Sequence, residues 1–324
     1  MGTTALERAI RSQPDELARL LHVPIHHAVE GLHRARRIWL VGTGSSQHAA
    51  ELGATMLNDA GRAAQAVPAM QFVDFAPVVG PQDGIVVVTH TAETAFALAA
   101  RALAFQAGLG VVSITRRGTG LADAVETVER DPAETYTLSY TAALLVLARI
   151  AAEMGAPTIT EEALGRIPEA VERAIGSPGT DAIPLPERLL VLAGAGPAAV
   201  TAREGALKLR EGARMLAEGY DVEYLLHGTA VPLGRTDRLV LLEPPGDPDG
   251  LLAAVGRAAE AEGIPVSRVE EPADLPPVLA QIPLTVRLQM LALRAAAERG
   301  QDPDTVIVGA WADPELWRLG APRV

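Results

Sequence analysis

The 324-residue chain has no cysteine, one lysine among its 28 basic residues, and aromatic side chains at only 3% of positions. Without cysteine there is no disulfide framework, no Cys-ligated zinc or iron–sulfur site and no thiol nucleophile. A reducing cytoplasm fits that composition and is the expected location. No stretch reaches the roughly 18 consecutive apolar residues that a membrane span requires. The start, MGTTALERAIRSQPDELARLL, carries acids throughout and does not read as a signal peptide. A net charge of −12 has the wrong sign for a protein that gains affinity by neutralising nucleic-acid phosphates, so no nucleic acid is an expected partner; without a spanning run, neither is a membrane. No His/Asp/Glu cluster shows metal-ligand spacing, and no metal or other cofactor is expected. The Arg excess fits a GC-rich coding bias in an Ala-rich chain, which leaves the position of Lys208 itself to be explained.

What is present is an ordinary globular composition, 48% hydrophobic and 21% charged, at a length that suits two domains of about 160 residues. Leu6, Ile10, Leu17, Leu20 and Leu21 recur at helical spacing, and a second helical segment follows at about 25–35. The period then changes. Ile38–Val41, Gln65–Val67, Gly84–Val88 and Gly110–Thr115 read as short strands, with helices between them and one at about 139–154. Alternating strands and helices imply a parallel α/β sheet covered on both faces. Residues 156–187 hold two Pro-rich patches around one amphipathic helix and read as a domain junction. Beyond it the pattern restarts, with Gly194 standing 152 residues after Gly42, so the chain reads as a duplication. Strands at Arg238–Glu243, Pro265–Val269 and Thr305–Gly309 and helices at about 249–262 and 284–299 complete the second unit.

Gly42-Thr-Gly44 and Gly194-Ala-Gly196 each end a strand and open a helix, a form that turns backbone N–H groups and a positive dipole end toward an anion. Dinucleotide binding is disfavoured, because Gln47 stands where the third Gly belongs and no acid closes Gln65–Val67 to hold a ribose. A purely structural turn is the other reading. Ser45 and Ser46 follow the first strand, and Thr89, Thr91 and Thr94 follow the third. Strand ends converge on one crevice in such a sheet, so these hydroxyls could surround one phosphate; each also fits a helix N-cap. Glu204, Lys208 and Glu211 stand at i, i+4 and i+7 of one helical segment and share a face, either as a surface ion pair or as a functional set. His227, sixteen residues after Glu211 and followed by Gly228, is the only His in the second half; it is a candidate proton shuttle or a structural His.

In this order the pieces resemble the SIS (sugar isomerase) family, in particular its two-SIS members such as the isomerase half of glucosamine-6-phosphate synthase. Ser12-Gln-Pro14 is similar to the family's Glu-Gln-Pro segment, Gly44-Ser-Ser46 to its Gly-Thr-Ser loop, and Thr89-His-Thr-Ala-Glu-Thr94 to its Ser-Gln-Ser-Gly-Glu-Thr loop. Ser139 falls at the matching Ser of a later helix start, and Glu204-Gly-Ala-Leu-Lys-Leu-Arg-Glu211 with His227-Gly228 is the most specific match. The resemblance implies two tandem SIS domains, each an open parallel sheet flanked by helices in the flavodoxin-like or Rossmann-like manner. Residues 1–155 would hold the N-terminal helices and first domain, 156–187 a linker with its helix, 188–300 the second domain and 301–324 a tail.

The same resemblance implies that Ser45, Ser46, Thr89, Thr91 and Thr94 hold a sugar 6-phosphate, with His90 donating to it or to a sugar hydroxyl and Gly44 and Ser139 as further contacts. Glu211 would move a proton at C2, His227 would open the sugar ring from a second subunit, and Lys208 and Glu204 would orient that pair. A homodimer is therefore expected. Two departures narrow the chemistry. Thr305–Val324 contains no Lys for the imine that the synthases form, and the glutamine-hydrolysing half is absent, so glutamine is not the expected nitrogen donor. What survives is C2 proton abstraction from a 2-amino- or 2-acetamido-hexose 6-phosphate, giving isomerisation or deamination, with dehydration by loss of the 3-hydroxyl as an alternative. A non-catalytic phosphosugar sensor is the further alternative.

Overall fold

Short apolar runs become parallel strands, and the Ala-rich stretches after them become helices, in the computed structural model, which describes residues 2–75, 78–244 and 249–320. The chain divides into two units that are discontinuous in sequence: Asp15–Asp131 with Leu138–Gly165 and the tail from Ile307, and the residues through Pro14 with Pro132–Thr137 and Arg166–Val306. The division falls inside the first helix, α1 (Ala5–Leu20), after its internal Pro14.

The first unit is built on a five-stranded parallel sheet. Its elements are α2 (His26–His33), β1 (Arg37–Gly42), α3 (Ser45–Asp59), β2 (Ala63–Pro68), α4 (Ala69–Asp74), β3 (Asp83–Val88), α5 (Ala95–Gln106), β4 (Gly110–Thr115), β5 (Ala124–Glu126), α6 (Leu138–Glu153) and α7 (Glu161–Gly165). The strand order is β2-β1-β3-β4-β5, with Val41 opposite Val67 and Val87, and Val88 opposite Ile114. Every residue of β3 is buried, as a strand covered on both faces requires. Trp39 anchors one face of the sheet, edge-on to Phe72 at 6.3 Å, with its indole N–H donating to buried Asp83 at 2.9 Å.

The second unit has a four-stranded parallel sheet of order β7-β6-β8-β9. It comprises α8 (Ile167–Gly176), β6 (Leu190–Gly194), α9 (Pro197–Ala213), β7 (Ala217–Asp221), the single turn α10 (Val222–Tyr224), β8 (Arg238–Glu243), α11 (Leu251–Ala261), β9 (Val266–Glu270) and α12 (Gln281–Glu298). In both sheets the first strand lies between the second and third. Helices α9 and α12 pack closely, because Gly205 has no Cβ to meet Leu288 Cδ1, which would stand 2.4 Å away.

Three differences from the sequence reading stand out. Thr305–Gly309 is not a strand: the Val306 N–H donates to the Glu134 carboxylate, and the Thr305 carbonyl accepts from Arg214, so side chains satisfy backbone groups that a ladder would otherwise pair. β5 and β7 are strands that no apolar run announces. The tail carries exposed Trp311 and Trp317, the latter donating its indole N–H to the Trp311 carbonyl, and a last short helix, α13 (Pro314–Arg318). No helix among the described residues is long and apolar enough to cross a membrane.

Candidate active site

In the five-stranded unit the chain leaves β1 for β2 on one side and returns to β3 on the other, so the C-terminal ends of β1 and β3 flank the crevice where open α/β sheets bind ligands. Two glycines shape the first lip. A Cβ on Gly42 would stand 2.4 Å from the Ser46 carbonyl, and Gly44 has φ +61° and ψ −131°, a conformation open only to Gly. That turn brings half-buried Ser45 and Ser46 into the first turn of α3, where backbone N–H groups lack intrahelical acceptors.

The second lip follows β3. Thr89 is 2% exposed and its Oγ1 has no hydrogen-bond partner among the described residues. Thr91 Oγ1 accepts from the Glu93 N–H at 3.2 Å. Thr94 occupies the N-cap position of α5 without a side-chain cap bond, so the N-cap reading of that hydroxyl does not describe this loop. Between them Ala92 is held at φ +56°, in the left-handed region, at the position where the resemblance set a Gly.

His90 is tied into the scaffold. Its Nε2 accepts from the Asp131 N–H at 3.1 Å, and the Asp131 carboxylate in turn accepts from both the N–H (3.0 Å) and the hydroxyl (2.9 Å) of Ser139. The hydroxyl proton of Ser139, a buried residue, is thus committed to Asp131, and a neutral His90 carries its proton on Nδ1. Burial, followed by the charges of Arg116 and Arg130, brings the His90 pKa down to about 4. Asp131 and Arg116 are the residues of this network that sequence reasoning missed. Arg116 immediately follows β4, the strand-end position from which an α/β crevice is built, and that was the available signal; nothing local marks Asp131.

In the four-stranded unit, α9 brings three expected residues together. Lys208, 1% exposed, reaches Glu211 at 2.5 Å and Glu204 at 3.6 Å; the Glu204 side chain is fully buried and that of Glu211 is 21% exposed. The i, i+4, i+7 spacing therefore makes an internal ion triad rather than a surface pair, with one carboxylate reaching solvent. His227 is not brought to it. It lies exposed on the wide turn Leu225–Thr229 and makes no hydrogen bond or ion pair among the described residues. An open groove of about 400 Å³ lies by Ala199, Arg203, Tyr220 and Tyr224, with no expected site residue in its lining. There the Tyr220 hydroxyl donates to Glu218, and that bond, with burial, pushes its pKa up to about 12. Among the described residues no group of three or more His, Asp or Glu could hold a metal ion.

An open parallel α/β sheet with a glycine-turned, hydroxyl-edged crevice is the class of protein that the first unit defines. Residues 31–148, which run from α2 into α6, match the family model of the SIS domain. The chain is 29% identical to a glutamine--fructose-6-phosphate aminotransferase (isomerizing) of Thermococcus kodakarensis, over 86% of its own length and 52% of the relative's. It is 28% identical to the enzyme of that name from Pyrococcus horikoshii, over 85% and 51%. The chain thus spans about half the length of the curated relatives it matches. Among solved structures its fold is similar to a glucosamine-6-phosphate deaminase from Thermotoga maritima, with TM-score 0.77 and 21% identity over 94% of this chain and 97% of that one. It is equally similar to the tagatose-6-phosphate ketose/aldose isomerase of Escherichia coli, with TM-score 0.77 and 20% identity over 95% and 97%.

Proposed function

We propose that the chain is a phosphosugar enzyme that takes a hexosamine 6-phosphate and moves its C2 proton, and that its two sheets are tandem SIS domains. The tandem reading rests on the shared strand order and on the repeated turn: Gly196, at φ +54° and ψ −124°, has the Gly44 conformation, and Gly194 has the close approach of Gly42. The functional reading is carried by one observation. Glu211 is a partly exposed carboxylate held by a lysine that is itself buried, an arrangement suited to keeping a base fixed and reachable.

In this reading Ser45, Ser46, Thr89, Thr91 and Thr94 hold the phosphate with backbone N–H groups, Gly44 lets the backbone approach, and His90 lines the crevice with Ser139 behind it. His227 transfers the proton that opens the pyranose. The resulting C1 aldehyde acidifies the C2 hydrogen, and Glu211 removes it to leave an enolamine; Lys208 and Glu204 fix its orientation. Reprotonation at C1 gives a 2-imine, which water hydrolyses to the ketose phosphate and ammonia. The relatives named above, an isomerising aminotransferase, a deaminase and a ketose/aldose isomerase, support isomerisation or deamination over dehydration. The exposure of His227, with no partner among the described residues, favours its use by a second copy.

One experiment tests these points together. Incubation with glucosamine 6-phosphate or N-acetylglucosamine 6-phosphate in D2O should exchange the C2 proton, read by NMR, and Glu211→Gln should abolish exchange. Absence of exchange and product with both sugars in the wild type overturns the reading. Co-expressed Glu211→Gln and His227→Ala chains, each inactive alone, should regain about a quarter of the activity if subunits share sites, because half of the randomly paired dimers would then carry one intact site of two. No recovery overturns the shared site.

A further inference from the structure

We infer that Arg116 is an anion ligand of the β1/β3 crevice, supplying through its guanidinium the positive charge that the hydroxyl loops lack and making the site select a doubly charged phosphate. This rests on the phosphosugar reading and deepens it. Backbone bonds hold the residues in place: the Thr89 N–H donates to the Ile114 carbonyl at 3.0 Å, and the Arg116 N–H to the His90 carbonyl at 2.7 Å. The start of the Thr89–Thr94 loop and Arg116 are thereby fixed side by side at the ends of β3 and β4.

Two buried polar atoms there have no hydrogen-bond partner among the described residues, Thr89 Oγ1 and Arg116 Nε. Buried polar groups are nearly always satisfied, and a hydroxyl together with a guanidinium N–H is a donor pair that phosphate oxygens would satisfy at once. The rest of the guanidinium is lightly engaged, with Nη1 donating to the Arg117 carbonyl at 2.8 Å. Among the described residues Arg116 has no carboxylate partner, whereas Arg130, the other cation acting on His90, pairs with Glu93 at 3.2 Å. The backbone bond to His90 sets Arg116 beside the second lip, and its charge is one of those that lower the His90 pKa. In a chain of net charge −12, an unneutralised cation at that edge would draw in an anionic substrate.

Isothermal titration of wild type, Arg116→Gln, Arg116→Lys and Arg130→Gln with glucosamine 6-phosphate, inorganic phosphate and glucosamine tests the assignment. Arg116→Gln should weaken binding of both phosphates roughly 10- to 100-fold, as loss of a charged hydrogen-bond donor does, and should flatten the dependence of affinity on salt. Arg116→Lys keeps the charge without the fork, so it should bind several-fold more weakly with its salt dependence retained. It also serves as the test if the Gln variant fails to fold. Arg130→Gln should stay within about threefold of wild type, since its charge is already paired. Arg116→Gln within threefold of wild type, with Thr89→Val still losing tenfold or more, overturns the role of Arg116 and leaves the phosphosugar reading standing. A wild type that binds neither phosphate overturns both.

Discussion

Lowering the pH from 7.5 to 4.5 protonates a histidine in the unfolded chain but leaves His90 of the folded chain largely neutral. Burial, with the charges of Arg116 and Arg130, holds its pKa near 4 against 6.5 for a free side chain. Between those values the unfolded state binds the extra proton, so stability rises with pH across the window. The stabilisation is complete above about pH 6.5 and is lost as the pH falls toward 4. At roughly 1.4 kcal/mol per pH unit, allowing for the start of native protonation, the loss at pH 4.5 comes to about 2–3 kcal/mol. His90→Gln isolates this share, because Gln keeps an acceptor for the Asp131 N–H but does not titrate. Urea unfolding of both proteins at the two pH values gives four free energies, and wild type should lose about 2–3 kcal/mol more than the variant on acidification. The remaining histidines and carboxylates titrate in both proteins and cancel. An excess loss below about 1 kcal/mol would refute the account of His90 as a buried neutral ring.

Ala92→Gly relieves the left-handed strain in the second lip, and thermal unfolding should show a gain of up to about 1 kcal/mol after the larger backbone entropy of Gly in the unfolded chain is set against it. Lys208→Met leaves fully buried Glu204 without its cation and should cost about 3–5 kcal/mol in urea unfolding, most of it recovered in the double variant with Glu204→Gln; a single-variant loss under 1 kcal/mol would contradict the internal triad.

The strongest sequence signals were the ones set by local geometry. β1, β3, β6 and β8 are runs of Ile, Val, Leu and Trp that sit between neighbours on both sides, so burial and composition coincide. The triad on α9 was legible because i, i+4 and i+7 lie on one helical face, although spacing alone could not say that the face is buried. β7 was illegible. Its sequence, Ala-Glu-Gly-Tyr-Asp, is that of a half-exposed edge strand, and Gly219 is there because a Cβ would stand 2.4 Å from the Ala202 carbonyl, a constraint imposed by α9 and not by its own strand. Thr305–Gly309 misled for the opposite reason, since an apolar run found its backbone partners in Glu134 and Arg214. Arg116 and Asp131 act through contacts between loops far apart in sequence, which periodicity does not encode. The same holds for the division into units, in which Pro132–Thr137 leaves the segments on either side of it.

The offset of 152 residues that relates Gly42 to Gly194 also relates the first residues of α3 and α9, Ser45 and Pro197. Where α3 offers hydroxyls, α9 opens on Ala195, Gly196 and Pro197, and Pro removes one of the N–H groups an anion would need. The second turn repeats the backbone conformation of the first without its hydroxyls. Further along the helices the contrast reverses. Glu204 and Lys208 correspond by the same offset to Leu52 and Met56, and all four are buried to within 1%. At these positions in α3, in the same strand–turn–helix setting, an apolar pair fills the buried space, and such a pair is commonly as stable as a buried ion pair or more so. Packing therefore gives no reason for a Glu and the chain's one Lys at the corresponding positions of α9. A fixed charge beside the solvent-reaching carboxylate of Glu211 does give one, and it accounts for the place of Lys208 in a chain that otherwise uses Arg throughout.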